Sequence, residues 1–160
     1  MHEIAASLGA DVPVCLSARP SLLGGIGERV APAPAMPSVW LVLVNPGVPL
    51  STAEVFKARL GPFSTPQPWT MAPETARDLA VRLTEGRNDL EAPAIGLVPA
   101  IGRVLAALRT TPECLLARMS GSGATCFGMY EREADARAAA QWIAERSPDW
   151  WVSAAPLMRD

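Results

Sequence analysis

The sequence predicts an α+β domain in which a mainly antiparallel sheet is covered by helices on one face. Three observations lead there. Apolar strand-like runs and amphipathic stretches follow one another as β-α-α-α-β-β-α-β, without the strict alternation of a parallel sheet. Two of the strand segments, Glu113 to Met119 and Thr125 to Tyr130, are separated only by Ser120-Gly121-Ser122-Gly123-Ala124. A chain of 160 residues with 49% hydrophobic and 19% charged content has enough apolar material for one ordinary core.

Each element has its own local reason. The leading piece holds a short amphipathic start, Glu3 to Leu8, a Gly-Ala-Asp turn, the apolar run Val12 to Leu16, and a second turn at Gly24-Gly25-Ile26-Gly27. The proline cluster from Ala31 to Pro37 cannot be a helix interior or a central strand, and it marks a boundary. Ser38 to Val44 reads as a strand buried on both faces, ended by the turn Asn45-Pro46-Gly47. Ser51-x-x-Glu54 fits a capping box in front of a helix through Leu60. After a proline-rich loop, Gly61 to Ala72, Pro73 is expected at the first position of a helix that runs to Glu85 and stops at Gly86. Asn88-Asp89-Leu90-Glu91 leads into a helix with Pro99 near its start and Ile101, Val104, Leu105 and Leu108 on one stripe. The two hairpin-spaced strands follow. The alanine-rich stretch Glu133 to Arg146 is a helix by propensity, and Trp150 to Ala154 is a last strand.

Composition removes several function classes. The formal net charge of −2 supplies no basic field for nucleic acid or an anionic membrane surface. The longest strongly apolar run, Val39 to Val44, is far short of the roughly 18–20 residues that span a bilayer. No signal peptide is visible, and a cytoplasmic location is expected. The one lysine, Lys57, does not follow a glycine loop, so a Walker A site is out. The one histidine, His2, sits at a terminus, which argues against a Ser-His-Asp triad and against His-rich zinc sites. Cys15, Cys114 and Cys126 form no C-x-x-C pair and read as small buried hydrophobes in a reducing compartment. No metal site is expected from these residues.

Three segments carry chemistry, each beside a plainer alternative. Ser120 to Ala124 is either a tight turn between paired strands or a backbone nest whose N–H groups face an anion; the G-x-G-x-x-G pattern fails at Cys126. Asp11, behind Leu8-Gly9-Ala10 and before Val12-Pro13, is either a turn residue or a carboxylate held at a cleft to accept a proton. Thr52 and Phe56 lie one helical turn apart and suit a hydrogen bond beside a stacked planar ring, unless Phe56 is core. Gly24 to Glu28 reads as a hairpin or bulge turn in preference to a phosphate loop, because no helix follows.

Taken in order, Leu8-Gly9-Ala10-Asp11-Val12-Pro13, Gly25-Ile26-Gly27-Glu28, Asn45-Pro46-Gly47 with Ser51-Thr52-x-x-x-Phe56, Asn88-Asp89-Leu90-Glu91 and Ser120-Gly121-Ser122-Gly123-Ala124 resemble the 4-diphosphocytidyl-2-C-methyl-D-erythritol kinases of the GHMP superfamily. The resemblance covers nearly the whole chain. It implies ATP-dependent phosphorylation, with Mg²⁺, of the 2-hydroxyl of a cytidine diphosphate methylerythritol in the non-mevalonate isoprenoid pathway. Asp11 then matches the catalytic aspartate, Thr52 and Phe56 the cytidine pocket, and Ser120, Gly121, Ser122, Gly123 and Ala124 the motif that supports the phosphate loop. Residues 37–160 match a ferredoxin-like GHMP C-terminal domain, and residues 1–36 the end of the ATP-binding N-terminal domain.

The same resemblance implies a further domain in front, with a catalytic lysine and a glycine-serine-rich ATP loop, and neither motif occurs in this sequence. The chain alone is therefore expected to lack appreciable kinase activity. Residues 1–36 are expected to be poorly ordered by themselves or to pair with another chain, as in a homodimer. Two other readings fit parts of the pattern. One is a homoserine or mevalonate-type GHMP kinase, which would bind a free hydroxy acid in place of CDP. The other is a noncatalytic small-molecule-binding or dimerisation module derived from such a kinase.

Overall fold

A computed structural model describes residues 19–25, 29–66, 69 and 71–158. The expected start Glu3 to Leu8, the run Val12 to Leu16 and Asp11 lie outside the described residues, as do His2 and Cys15. The elements are β1 (Ser21–Gly24), β2 (Arg29–Pro32), β3 (Trp40–Asn45), α1 (Thr52–Ala58), α2 (Ala76–Glu85), α3 (Glu91–Leu97), α4 (Ala100–Thr110), β4 (Leu116–Met119), β5 (Cys126–Tyr130), α5 (Glu133–Arg146) and β6 (Trp151–Pro156).

Two sheets form. β1 and β2 pair antiparallel with Gly24 opposite Arg29, and residues 26–28 of the turn expected between them lie outside the described residues. β3 to β6 make a four-stranded sheet in the order β4-β5-β3-β6, with every neighbour antiparallel. With helices after β3 and after β5, this is the ferredoxin-like arrangement of split β-α-β units.

The pleat divides the strand residues between two faces. On one face Val42, Val44, Cys126, Tyr130 and Met119 pack with Ile101, Val104, Leu105 and Leu108 of α4 and with Ala136, Ala139 and Ile143 of α5. On the other, Leu41, Met129 and Leu116 pack with Ala76, Leu79 and Ala80 of α2. The expectation of helices on one face is thus incomplete, since α2 covers part of the second. The physical cause is that β3 and β5 are apolar at successive positions and so present two hydrophobic faces.

Local chemistry moved several boundaries. Helix α2 starts at Ala76, three residues after Pro73, because Thr75 caps it: the Thr75 hydroxyl accepts from the Asp78 N–H, and the Asp78 carboxylate accepts from the Thr75 N–H. The helix expected with Pro99 near its start is α4, which Pro99 caps, and a separate short helix that was not expected, α3, precedes it. Val98 between them has φ −132° and ψ 87°, the extended backbone that a following proline favours. Helix α1 ends at Ala58, short of Leu60, where Arg59 turns extended. Strand β4 begins at Leu116, after Glu113 takes a left-handed φ of 59°. Gly86 does stop α2, and Arg118 of β4 donates to the carbonyls of Leu83 and Gly86 at that helix end.

Candidate functional site

The β4–β5 connection is a tight turn. Ser120 N–H donates to the Thr125 carbonyl at 2.9 Å, and Gly123 N–H donates to the Ser120 carbonyl at 3.0 Å. Gly121 and Gly123 take positive φ values of 53° and 91°, a backbone that side-chain-bearing residues rarely adopt. The turn is also close-packed. A Cβ at Gly123 would lie 2.8 Å from Met119 Sδ and 3.2 Å from Leu50 Cδ2. Among the described residues no acceptor receives the N–H groups of Gly121, Ser122 and Ala124. A turn and two open N–H donors, those of exposed Gly121 and half-buried Ser122, therefore coexist in one segment, while Ala124 is buried.

Three other segments hold this loop by polar side chains. At the end of β3, Asn45 donates through Nδ2 to Thr125 Oγ1 at 2.9 Å, while its Oδ1 accepts from Gly47 N–H at 2.8 Å and so closes the Asn45-Pro46-Gly47 turn. That turn delivers the chain to α1, where the Ser51 hydroxyl accepts from Glu54 N–H at the N-cap. Thr52 Oγ1 and Ser122 Oγ then lie 2.7 Å apart, which joins the first turn of α1 to the glycine loop. One turn further, Phe56 is 49% exposed, whereas its neighbour Val55 is fully buried. Phe56 is thus not core, and its ring is available to a ligand.

The third holding segment is Asn88-Asp89-Leu90-Glu91. Asn88 Nδ2 donates to the carbonyls of Met119, at 3.0 Å, and Gly121, at 2.7 Å, and Asn88 Oδ1 accepts from Leu90 N–H. Glu91 accepts from Met119 N–H at 3.1 Å. Asp89 turns the other way, accepting from the Ser64 N–H and hydroxyl, both at 2.7 Å, and from Arg87. The Ser64 N–H, then the Ser64 hydroxyl and Arg87, hold the Asp89 carboxyl down to about 2.

Of the candidates read from sequence, Thr52 meets Ser122 of the loop Ser120 to Ala124, Phe56 lies one turn further along α1, and Asp11 lies outside the described residues. Asn45, Asn88, Glu91 and Thr125 carry the scaffold and were not assigned side-chain roles from sequence. Their only signals were a turn motif and an acidic-amide tetrapeptide. The cysteines are no part of the site. Burial pushes the Cys126 thiol up to about 12 and raises that of half-buried Cys114.

Hydroxyl and N–H donors at the loop suit the oxygens of a phosphate and not a hard cation, which wants carboxylate and carbonyl ligands. Among the described residues no group of three His, Cys, Asp or Glu side chains is placed to hold a metal ion. The described residues therefore do not fit Mg²⁺. No helix among them is long and apolar enough to cross a membrane.

Known proteins resemble this chain along its length. Residues 72–148 match the family described as GHMP kinases C terminal. A 4-diphosphocytidyl-2-C-methyl-D-erythritol kinase of Paramagnetospirillum magneticum is 54% identical over 158 residues, covering 99% of this chain and 55% of that protein. The kinase of the same name from Rhodospirillum rubrum is 47% identical over 160 residues, covering 100% of this chain and 53% of that protein. A crystal structure of 4-(cytidine 5'-diphospho)-2C-methyl-D-erythritol kinase superposes with a TM-score of 0.72 at 30% identity, over 96% of this chain and 56% of that one. The chain spans about half the length of the curated relatives it matches.

Proposed function

We propose that the chain carries the C-terminal domain of a GHMP kinase and serves the ATP-dependent phosphorylation of 4-diphosphocytidyl-2-C-methyl-D-erythritol. The observation that supports this most is the 2.7 Å contact between Thr52 and Ser122. It places the helix proposed to hold the cytidine directly against the loop proposed to face phosphate, as a single ligand with a base at one end and a diphosphate in the middle requires.

In this reading the exposed Phe56 ring stacks on cytosine, with the Thr52 hydroxyl beside it. The loop Ser120 to Ala124 turns the open N–H groups of Gly121 and Ser122 to phosphate oxygens. Asp11 takes the proton of the substrate 2-hydroxyl. The hydroxyl oxygen bonds to the γ-phosphorus of ATP as the bond to the β-phosphate oxygen breaks, giving ADP and the 2-phosphate. Positioning supplies most of such a reaction, so one aligned carboxylate is sufficient as base. Residues 1–36 belong in this reading to the first domain of the GHMP fold and residues 37–160 to the second. The separate hydrogen bonding of the β1–β2 hairpin and the four-stranded sheet supports that division.

The test is a titration of the 160-residue chain with CDP, followed through backbone amide shifts. Saturable shifts are expected at Thr52, Phe56 and 120–124, with none from homoserine or mevalonate. Phe56→Ala should weaken CDP roughly tenfold, since stacking on one base is worth about 1–3 kcal/mol. Its melting temperature should hardly move, because the ring is half exposed. An unchanged CDP affinity in Phe56→Ala, or a response to the free hydroxy acids instead, would overturn the reading.

A further inference from the structure

We infer that Asn88 is a positioning residue that sets which way the N–H groups of the glycine loop point. Across a trans peptide, the carbonyl of one residue and the N–H of the next point in opposite directions. Asn88 Nδ2 draws the Gly121 carbonyl toward itself at 2.7 Å, so the Ser122 N–H is turned to the opposite side. By the same rule the Met119 carbonyl, drawn to Asn88 at 3.0 Å, turns the Ser120 N–H to the far side, where it meets the Thr125 carbonyl. One side-chain amide therefore holds the carbonyl side of the loop and leaves the Ser122 N–H open, beside the hydroxyl that Ser122 shares with Thr52.

The amide is itself fixed. Its Oδ1 accepts from Leu90 N–H at 2.9 Å, which orients the NH₂ group toward the loop. Glu91, three residues on, accepts from Met119 N–H and secures the strand that enters the loop. Asp89 anchors the same tetrapeptide to Ser64 on its other side. The tetrapeptide is thus a three-way junction whose output is the orientation of Gly121 and Ser122. Asn88 touches neither ligand nor reacting atoms in this account; it acts through the loop.

The inference rests on the reading of the loop as phosphate-facing, and the experiment separates the two. The full chain is titrated with inorganic pyrophosphate and, separately, with cytidine, each followed at the amides of Ser122 and Phe56. Asn88→Asp is nearly isosteric and keeps the Oδ1 that accepts from Leu90, but replaces the NH₂ donor with an oxygen facing two carbonyls. Asn88→Ala removes the donor without adding charge. Both variants should bind pyrophosphate at least tenfold more weakly at Ser122, while cytidine shifts at Phe56 stay as in the parent. No pyrophosphate response in the parent chain would defeat the phosphate-facing reading and the inference with it. A response in the parent that persists undiminished in both variants would overturn the inference alone. Loss of the native fold in both variants would also overturn it, since Asn88 would then be structural only.

Discussion

Replacing Gly123 by alanine tests whether the glycine loop is held by shape as well as by hydrogen bonds. The added Cβ would sit 2.8 Å from Met119 Sδ, 3.2 Å from Leu50 Cδ2 and 3.4 Å from Ile101 Cδ1, and Met119 and Ile101 are both fully buried. Overpacking of this kind costs about 1–3 kcal/mol. Alanine must also adopt φ +91°, outside the left-handed well, at about another 1–3 kcal/mol. Loss of unfolded-chain freedom on replacing glycine offsets about 0.4–1 kcal/mol. The expected net destabilisation is about 1–5.5 kcal/mol, centred near 3. Gly121→Ala is the internal control, because its Cβ meets nothing within 4 Å and its φ of 53° lies within the left-handed well. Its backbone strain of about 1–2 kcal/mol is partly offset by the same unfolded-chain effect, leaving about 0–1.6 kcal/mol, centred near 1. Urea unfolding followed by tryptophan fluorescence reads both, with a constant m value confirming that only stability changed. If Gly123→Ala falls within 1 kcal/mol of Gly121→Ala, the packing argument for the loop is wrong.

Two further outcomes concern the scaffold. Asp89 is ionised and held by Ser64 and Arg87, with its folded pKa lowered from 3.8 to about 2. Its contribution is therefore complete above pH 4 and fades as pH falls toward 2. Thermal melts of the parent and Asp89→Asn should differ at pH 6 and converge at pH 2, and a gap independent of pH would refute the assignment. Tyr130→Phe removes the hydroxyl that shares a 2.6 Å hydrogen bond with the buried Thr111 hydroxyl, which itself donates to the Leu108 carbonyl. A loss of about 1–2 kcal/mol in chemical denaturation is expected, and a neutral result would mean that the pair contributes nothing net.

The sheet was readable because its strands are announced by local signals of high contrast. Trp40 to Asn45 is an uninterrupted apolar run ending in Asn-Pro-Gly, and β4 and β5 flank a run of small residues. The helix starting near Pro99 was legible, but the short α3 before it was hidden, because its seven residues include Pro93 and Gly96, which are poor helix formers. The position of α2 over the second face was hidden for a different reason. Amphipathicity says that Ala76, Leu79 and Ala80 are buried, but not against which face of the sheet. At the site, Thr52 and the glycine loop stood out by residue type. Asn88 and Glu91 did not, because their partners are 28–33 residues away and are main-chain groups with no side-chain signature.

That difference has a physical consequence for how the site can be lost. Core burial on the helix-covered face comes from α4 and α5 packing on β3 and β5, and it does not involve Asn45, Thr52 or Asn88. The loop's orientation comes from a handful of polar bonds between 2.7 and 3.0 Å, each worth about 0.5–1.5 kcal/mol net. Changes at these side chains can therefore reorient the loop while most of the folding energy remains. Gly123 is the exception, since any side chain there would run into Met119 and Ile101 of the core and so tie loop geometry to the packing of α4. Stability and ligand response should separate for substitutions at Asn88 and Phe56, and should fall together at Gly123.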